Sequence, residues 1–370
     1  MALAITSTLT HVTAPVDYVL MKGLLSSARK RLPFFNGSLP GQLMKNSGSF
    51  SVEWERIANL AVATTPLTQA TGTLAFGNGR TAVNPVVSRL TVATAKYGNA
   101  IITNEEVDLM QVNVRNAKLM DKLGMNAGES LNELMIDVYQ AGLNTATGAS
   151  QNKRYASAVT TITSIVKAIT QMDIKFAVNL INRRSGMKFT SLGTGSTNVG
   201  SSPIRDSYFG ICHPDVEEDL RALGSGVFIG VEQYAGYMSP EVGEIGTVNG
   251  VRWCVSELAG VITADAGGNA STNAIRFTTT KTACDLYDTF IYGKECVGTV
   301  GLGENHSEQT YKMGDRVPAI QLIQKAVGSS GVGDMFNEVG SIAWKSWFAA
   351  KVLNPLWGVR IRTGSSRLTT

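Results

Sequence analysis

Cysteine and histidine are scarce in this chain, four and three among 370 residues. The cysteines are Cys212, Cys254, Cys284 and Cys296. None forms a close pair, and no histidine stands at zinc spacing beside them, so no metal is expected. They read as reduced thiols of a cytosolic folding environment. Charge is also thin. Only 17% of residues are charged, below the usual quarter or so. A low-charge surface suits a protein that covers much of itself with neighbours. The 33 Lys and Arg against 29 Asp and Glu leave a net +4, too small an excess to argue for nucleic-acid binding by itself. No apolar run reaches the ~18 residues of a membrane helix. Residues 1–23 have no basic stretch ahead of their apolar residues, so a signal peptide is not expected. The chain is expected to be made and folded in a cytoplasm, with no membrane partner.

What is present is size, hydrophobic content and glycine. The length allows two or three domains and a large core. The 44% hydrophobic content argues for a globular chain, and 38 glycines favour turns and long loops.

The strongest local signal runs from Asn104 to Gly142. Apolar or small residues recur at Val107, Met110, Val114, Ala117, Met120, Gly124, Ala127, Leu131, Leu134, Val138 and Ala141. Steps of three and four line one face of a helix. Thr103 with Glu106 reads as a capping box, and Gly142 as a stop. Unbroken, such a helix is roughly 58 Å long at about 1.5 Å per residue. Gly124 and Gly128 weaken its middle. They leave two readings open, one long spine with a candidate hinge or two helices broken near Gly124.

Residues 1–45 carry few periodic signals and read as an arm, with a short helix over Asp17–Arg31 stopped by Pro33. Phe50, Val52 and Trp54 alternate with Ser51, Glu53 and Glu55, a half-buried strand. A Thr- and Gly-rich stretch from Thr64 to Pro85 follows, then a second strand from Val86 to Ile102. Two strands with so long a tip make a protruding hairpin. Leu74, Ala75, Phe76 and Arg80 at the tip are candidate contacts with another subunit, a floppy surface loop being the other reading. Asn144–Ser157 reads as a loop. A second helix is expected over Thr163–Arg184, ended by Gly186. Residues 190–203 and 261–274 read as loops. His213-Pro214-Asp215 opens a short helix to Leu223. Asn249-Gly250 splits Glu244–Glu257 into a tight hairpin. Asp285–Leu302 and Val317–Val327 look like strands. Ser341–Arg362 fits helix or strand, because Trp344, Phe348 and Val352 share a face in either.

No catalytic constellation survives inspection. His11, His213 and His306 are dispersed. Cys212 and His213 are adjacent in sequence, and neighbouring side chains usually point apart. The pairs Gly193/Gly195 and Gly301/Gly303 complete no dinucleotide fingerprint, and no Walker lysine follows a Gly loop. Glu217, Glu218 and Asp219 fit a solvated helix face without calcium or magnesium spacing. The basic clusters Arg29–Arg31 and Arg183–Arg184 sit at helix C-termini. Any nucleic-acid contact would be with phosphates and independent of sequence. No cofactor and no enzymatic activity are expected.

Some short motifs along the chain occur in a particular order. They are Lys45-Asn46-Ser47-Gly48, Ala63-Thr64-Thr65-Pro66-Leu67-Thr68 and Lys96-Tyr97-Gly98-Asn99. Then come His213-Pro214-Asp215 with Asp219-Leu220-Arg221, and Gly243-Glu244-Ile245-Gly246 with Gly250-Val251-Arg252-Trp253. Ala343-Trp344-Lys345 and Leu353-Asn354-Pro355 close the series. In this order, with the hairpin and spine, the chain resembles the major capsid proteins of tailed bacteriophages with the HK97-type fold, most of all those of short-tailed phages. The likeness covers nearly everything after residue 40.

The resemblance implies an α+β fold with an N-terminal arm (1–45) and an extended loop with its leading strands (46–103). It implies a peripheral domain with the spine helix (104–185 and 335–370) and an axial domain (186–334). It assigns the Trp344 segment to a strand. It implies a subunit that self-assembles into hexamers and pentamers of an icosahedral shell enclosing phage double-stranded DNA. The implied partners are a portal protein, packaged DNA held by non-specific contact and a separate scaffolding protein, since the chain starts at the arm without a charged helical leader. The implied place is the virion, after assembly in the bacterial host cytoplasm. Two alternatives differ in class: another repetitive structural protein, of a tail tube or surface lattice, and a thiol-dependent hydrolase using Cys212.

Overall fold

The computed structural model describes residues 32–43, 48–57, 60, 62, 84–106, 115–145, 151–162, 165, 167–189, 206–224, 226–233, 243–262, 286–302, 310–311, 319–325, 327, 336 and 338–366. Two sheets and one long helix between them make its frame. The helix, α1, runs without interruption over Arg115–Gly142, through both Gly124 and Gly128. At about 1.5 Å per residue it is roughly 42 Å long. Thr103 and Asn104 end a strand, β4 (Ala95–Asn104), where Thr103 pairs with Gly340, and Glu105 and Glu106 directly after it are helical, where the helix was expected to begin. Residues 107–114 lie outside the described residues. The end at Gly142 is as expected, and packing explains it, because a Cβ there would run into the side chain of Val352.

The buried face of α1 is broader than one stripe. Met120, Leu123, Ala127, Leu131, Met135, Ile136, Tyr139 and the following Leu143 are almost fully enclosed. Leu134 and Val138, expected in the core, are only partly buried, and Ala141 is exposed. A single-stripe reading fails because α1 has neighbours on two sides.

On one side lies a six-stranded sheet. Its strands are β1 (Leu39–Leu43), β4, β12 (Val297–Leu302), β13 (Thr310–Tyr311), β14 (Ile320–Lys325) and β15 (Val339–Val352). β15 is its centre, pairing antiparallel with β4, β12 and β14. Ile342, Trp344 and Phe348 of β15 and Ile320 and Leu322 of β14 join the core of α1. The Trp344 segment is therefore a strand. β1 adds at the edge, parallel to β12.

On the other side lies an eight-stranded sheet. It contains β5 (Lys153–Tyr155), β6 (Tyr208–Cys212), β7 (Phe228–Gly230), β8 (Glu244–Val248), β9 (Val251–Val255), β10 (Val261–Ile262), β11 (Leu286–Tyr292) and β16 (Gly358–Thr363). Phe209, Ile211, Phe290 and Tyr292 face α1. The opposite face is covered by α2 (Gln171–Arg183) and α3 (Pro214–Arg221), through Ile174, Ala177, Ile181, Val216 and Leu220. All seven residues of β11 are buried, as a strand covered on both faces requires.

Several local expectations meet the structure directly. Asn249 and Gly250 both take positive φ, 51° and 77°, the conformation of a tight hairpin turn. His213 is the N-cap of α3, its Nδ1 accepting the Asp215 amide at 3.1 Å, with Pro214 in the first turn. The second helix begins at Gln171, not Thr163. Thr170 and Asp173 form a capping box there, while Ile165 packs with Tyr155, Ala156 and Leu286. The Asn144–Ser157 loop contains β5, parallel to β16. The Val86–Ile102 strand is two strands, β3 (Val87–Ala93) and β4, broken at Thr94.

The last part of the expected arm over 1–45 lies against its own body. Phe34 and Phe35 are buried in the core beside α1, and Phe34 packs on Tyr139 and Phe290 with ring centroids 5.7 and 5.8 Å away. Residues 32–43 thus pack into the core and onto β12. The expected helix at Asp17–Arg31 lies outside the described residues, as do the loop at 190–203 and Cys284. Chain segments cross between the sheets. β12 and β14, within 186–334, pair with β15, outside it. β16, outside that range, pairs with β11, inside it, and carries β5 on its other side.

Candidate functional site

The feature that departs from the compact body is the hairpin of β2 (Ser51–Ile57) and β3, a two-stranded sheet of its own. Its period-two pattern gives it two faces. Val52, Trp54 and Val92 turn toward the six-stranded sheet and pack on Val300 and Ala349. Glu53, Glu55 and Arg89 are solvated, and the Glu55–Arg89 pair at 3.4 Å is exposed on both sides and contributes little.

The hairpin base is pinned at several points. Thr94 gives both its amide and its hydroxyl to the Phe50 carbonyl, at 2.8 and 2.9 Å. Phe50 stacks on Trp347 with centroids 5.4 Å apart and planes 2° from parallel. Lys351 Nζ donates to the Thr91 carbonyl at 2.9 Å. Trp54 lies over two glycines, and a Cβ on Gly41 or Gly298 would come within 3.1 or 2.8 Å of its ring. These contacts fix where the hairpin leaves the body.

At the far end the character changes. Ile57, Leu60, Val62 and Val86 are 60–85% exposed, with no cover from their own chain. Ile57, Leu60 and Val62 precede the tip and Val86 follows it, so both flanks carry exposed apolar side chains. The tip candidates Leu74, Ala75, Phe76 and Arg80 lie outside the described residues. The structure therefore brings the flanks of the tip together and leaves the named contacts unplaced. Exposure of the flanks was not legible, since alternation told only that one face of each strand is covered.

The candidate hinge residues Gly124 and Gly128 are both buried in the regular part of α1. Cys212, the nucleophile of the hydrolase alternative, is fully enclosed in β6. Its Sγ lies 3.8 Å from the Cys254 carbonyl. Burial, reinforced by Glu217 and Cys254, pushes the thiol well above its ordinary range. Such a thiol holds no thiolate at neutral pH. His213 is committed to capping α3. Among the described residues no group of three metal-ligating side chains could hold an ion, and no helix is long and apolar enough to cross a membrane.

Comparison with known proteins adds the following. The family described as phage capsid protein matches residues 86–361. Among solved structures, the capsid of Ralstonia phage GP4 superposes with a TM-score of 0.61 at 12% identity, covering 92% of this chain and 93% of that one. The capsid of cyanophage P-SCSP1u gives 0.53 at 12% identity, covering 91% and 90%. The capsid of cyanophage Pam1 gives 0.50 at 12% identity, covering 88% and 89%. No curated protein matches the sequence.

Proposed function

Because the chain belongs to the phage capsid protein family, with the HK97-type fold and the role of a shell-forming structural subunit of the virion, we propose that its copies close as hexamers and pentamers into an icosahedral shell around double-stranded DNA. The observation that carries this reading is the pinned hairpin with an uncovered apolar end. A rigid base and an apolar end suit an element that completes its burial on a neighbour. Many repeats of a modest contact then make a firm assembly.

In this reading Leu74, Ala75, Phe76 and Arg80 reach the neighbouring subunit. The six-stranded sheet with α1 forms the peripheral unit and the eight-stranded sheet the axial unit. The expected ranges, 104–185 with 335–370 and 186–334, are read as these two units, with strands exchanged between them in the pairing. Gly124 and Gly128 are the places where the spine bends when the shell changes size, since glycine weakens a helix interior. A separate scaffolding protein and a portal protein act during assembly in the host cytoplasm, and DNA is met through phosphates only.

Negative-stain images of the purified protein test the reading. Closed shells are expected, and tubes or flat lattices would point to the other repetitive assemblies. Deleting residues 70–82 is expected to leave a folded chain that does not assemble. Normal shells from that deletion would remove the hairpin's assigned role.

A further inference from the structure

The hairpin and the body meet closely at one end of their contact and part at the other. Val52 and Val92 rest on Val300 and Ala349. Further along, Trp54 and its cross-strand partner Leu90 form one wall of a cleft of about 450 Å³. The opposite wall belongs to the body. It is made by Met187, just past α2, and by Leu356 and Trp357 in the turn between β15 and β16. Met187 is 41% exposed, and Leu90, Leu356 and Trp357 are half-buried. The volume falls in the range of small-molecule sites, roughly 300–1,000 Å³, whose walls are chiefly apolar with a few polar groups that orient the ligand.

Charged side chains border the cleft, Glu55 and Arg56 on the hairpin and Arg184 and Glu295 on the body. Both carboxylates have cations at hand, Glu55 facing Arg89 at 3.4 Å and Glu295 facing Lys294 at 4.0 Å. The two arginines are placed differently. Among the described residues Arg56 makes no ion pair. Arg184 follows the last turn of α2. Its Nη1 donates to the Leu356 carbonyl at 3.5 Å, and its own carbonyl accepts the Trp357 indole at 3.2 Å. These bonds hold a cation and an aromatic wall of the cleft on one turn. Burial pulls the Arg184 guanidinium below the ordinary arginine range, and an anion beside it would offset that pull. The planar fork of arginine matches a carboxylate through two parallel bonds.

We propose that this cleft binds a small amphiphile carrying one carboxylate, of the medium-chain fatty acid class, with its chain between Trp54, Leu90, Met187 and Trp357 and its head at Arg56 and Arg184. The site is distinct from the uncovered end of the hairpin and does not depend on the shell-subunit reading. A chain lying there takes apolar wall out of water on both sides. A neutral amphiphile gains that burial alone. A cationic one has to compete with Arg89 and Lys294 for the two carboxylates. Because the occupant touches hairpin and body together, it holds the angle between them.

Titration of the full-length chain with decanoate, decanol and decyltrimethylammonium, each below its micelle-forming concentration, tests the proposal. Trp54 and Trp357 stand in the walls, so intrinsic fluorescence reports occupancy. Decanoate is expected to bind saturably and about tenfold or more tightly than either of the others. Arg56→Gln and Arg184→Gln are each expected to weaken decanoate about fivefold or more and to leave decanol unchanged. Should Arg184→Gln melt early, Arg56→Gln, on the exposed hairpin, carries the test. Bound decanoate is also expected to slow amide exchange in β2 and β3 while β8 and β9 stay unchanged. Equal affinity for decanoate and decanol, tighter binding of the ammonium, or decanoate binding untouched by Arg56→Gln would overturn the carboxylate assignment. No saturable binding, or protection that spares β2 and β3, would overturn the site itself.

Discussion

Asp288 is fully buried between two guanidinium groups. Arg362 meets it through Nε at 2.8 Å and Nη2 at 3.1 Å, and Arg360 Nη1 stands 3.7 Å away. Arg360 also donates to the Gln140 carbonyl at 3.0 Å and to Asn144 Oδ1 at 2.9 Å, so it closes the C-terminal end of α1. Burial pulls its guanidinium below the ordinary arginine range, and Asp288 opposes that shift. Removing the one carboxylate leaves two enclosed cations facing each other. Asp288→Asn is therefore expected to lower stability by about 3–5 kcal/mol in chemical denaturation. The cysteines give a second expectation. Burial pushes Cys296 from 9.0 to about 12, and Cys212 and Tyr139 also move up. The unfolded chain then sheds protons that the folded chain keeps, so stability falls as pH rises from 9 toward about 12. Denaturation midpoints across that range check the sign. The lack of a close cysteine pair made reduced thiols the expectation, and Cys212, Cys254 and Cys296 are free and buried. The Asp288 cluster was not readable, because its arginines are more than 70 positions distant.

Among the elements, those set by their own few residues were legible. The Asn249-Gly250 turn needs only two residues that accept positive φ, and α3 needs only a capping His213 and Pro214. The start of α2 was misplaced because Ile165 and Ile169 continue the helical spacing, while the Thr170–Asp173 capping box decides the matter. Asp173 is buried and also accepts Arg154 Nε at 2.8 Å, which ties the first turn of α2 to β5. β15 was ambiguous because four is a multiple of two and close to 3.6, so Trp344 and Phe348 share a face either way. β1 gave no signal, since its partner β12 is some 260 positions away. The spine allows a direct test of the hinge. Replacing Gly124 and Gly128 together by Ala stiffens the helix interior through helix propensity and is expected to slow or block the change in shell size. Normal size change in that variant would remove the hinge.

At the scale of the whole molecule, the paired strands of the hairpin and the spine were legible in outline, while the membership of each sheet was not. Periodicity reports which face of a strand is covered and says nothing of which strand lies beside it. After β4 the chain passes through α1 to β5 in the other sheet, returns from β11 to β12, and leaves again from β15 to β16. A fragment of residues 186–334 therefore lacks β5, β15 and β16. It is expected to show no cooperative melt by calorimetry, although the same residues melt cooperatively in the full chain. The weave has a mechanical consequence for a subunit of a shell. Had each sheet been a separate bead, strain pulling them apart would be borne by their lateral contact alone. Here the polypeptide is sewn through both halves, and covalent thread carries part of the load.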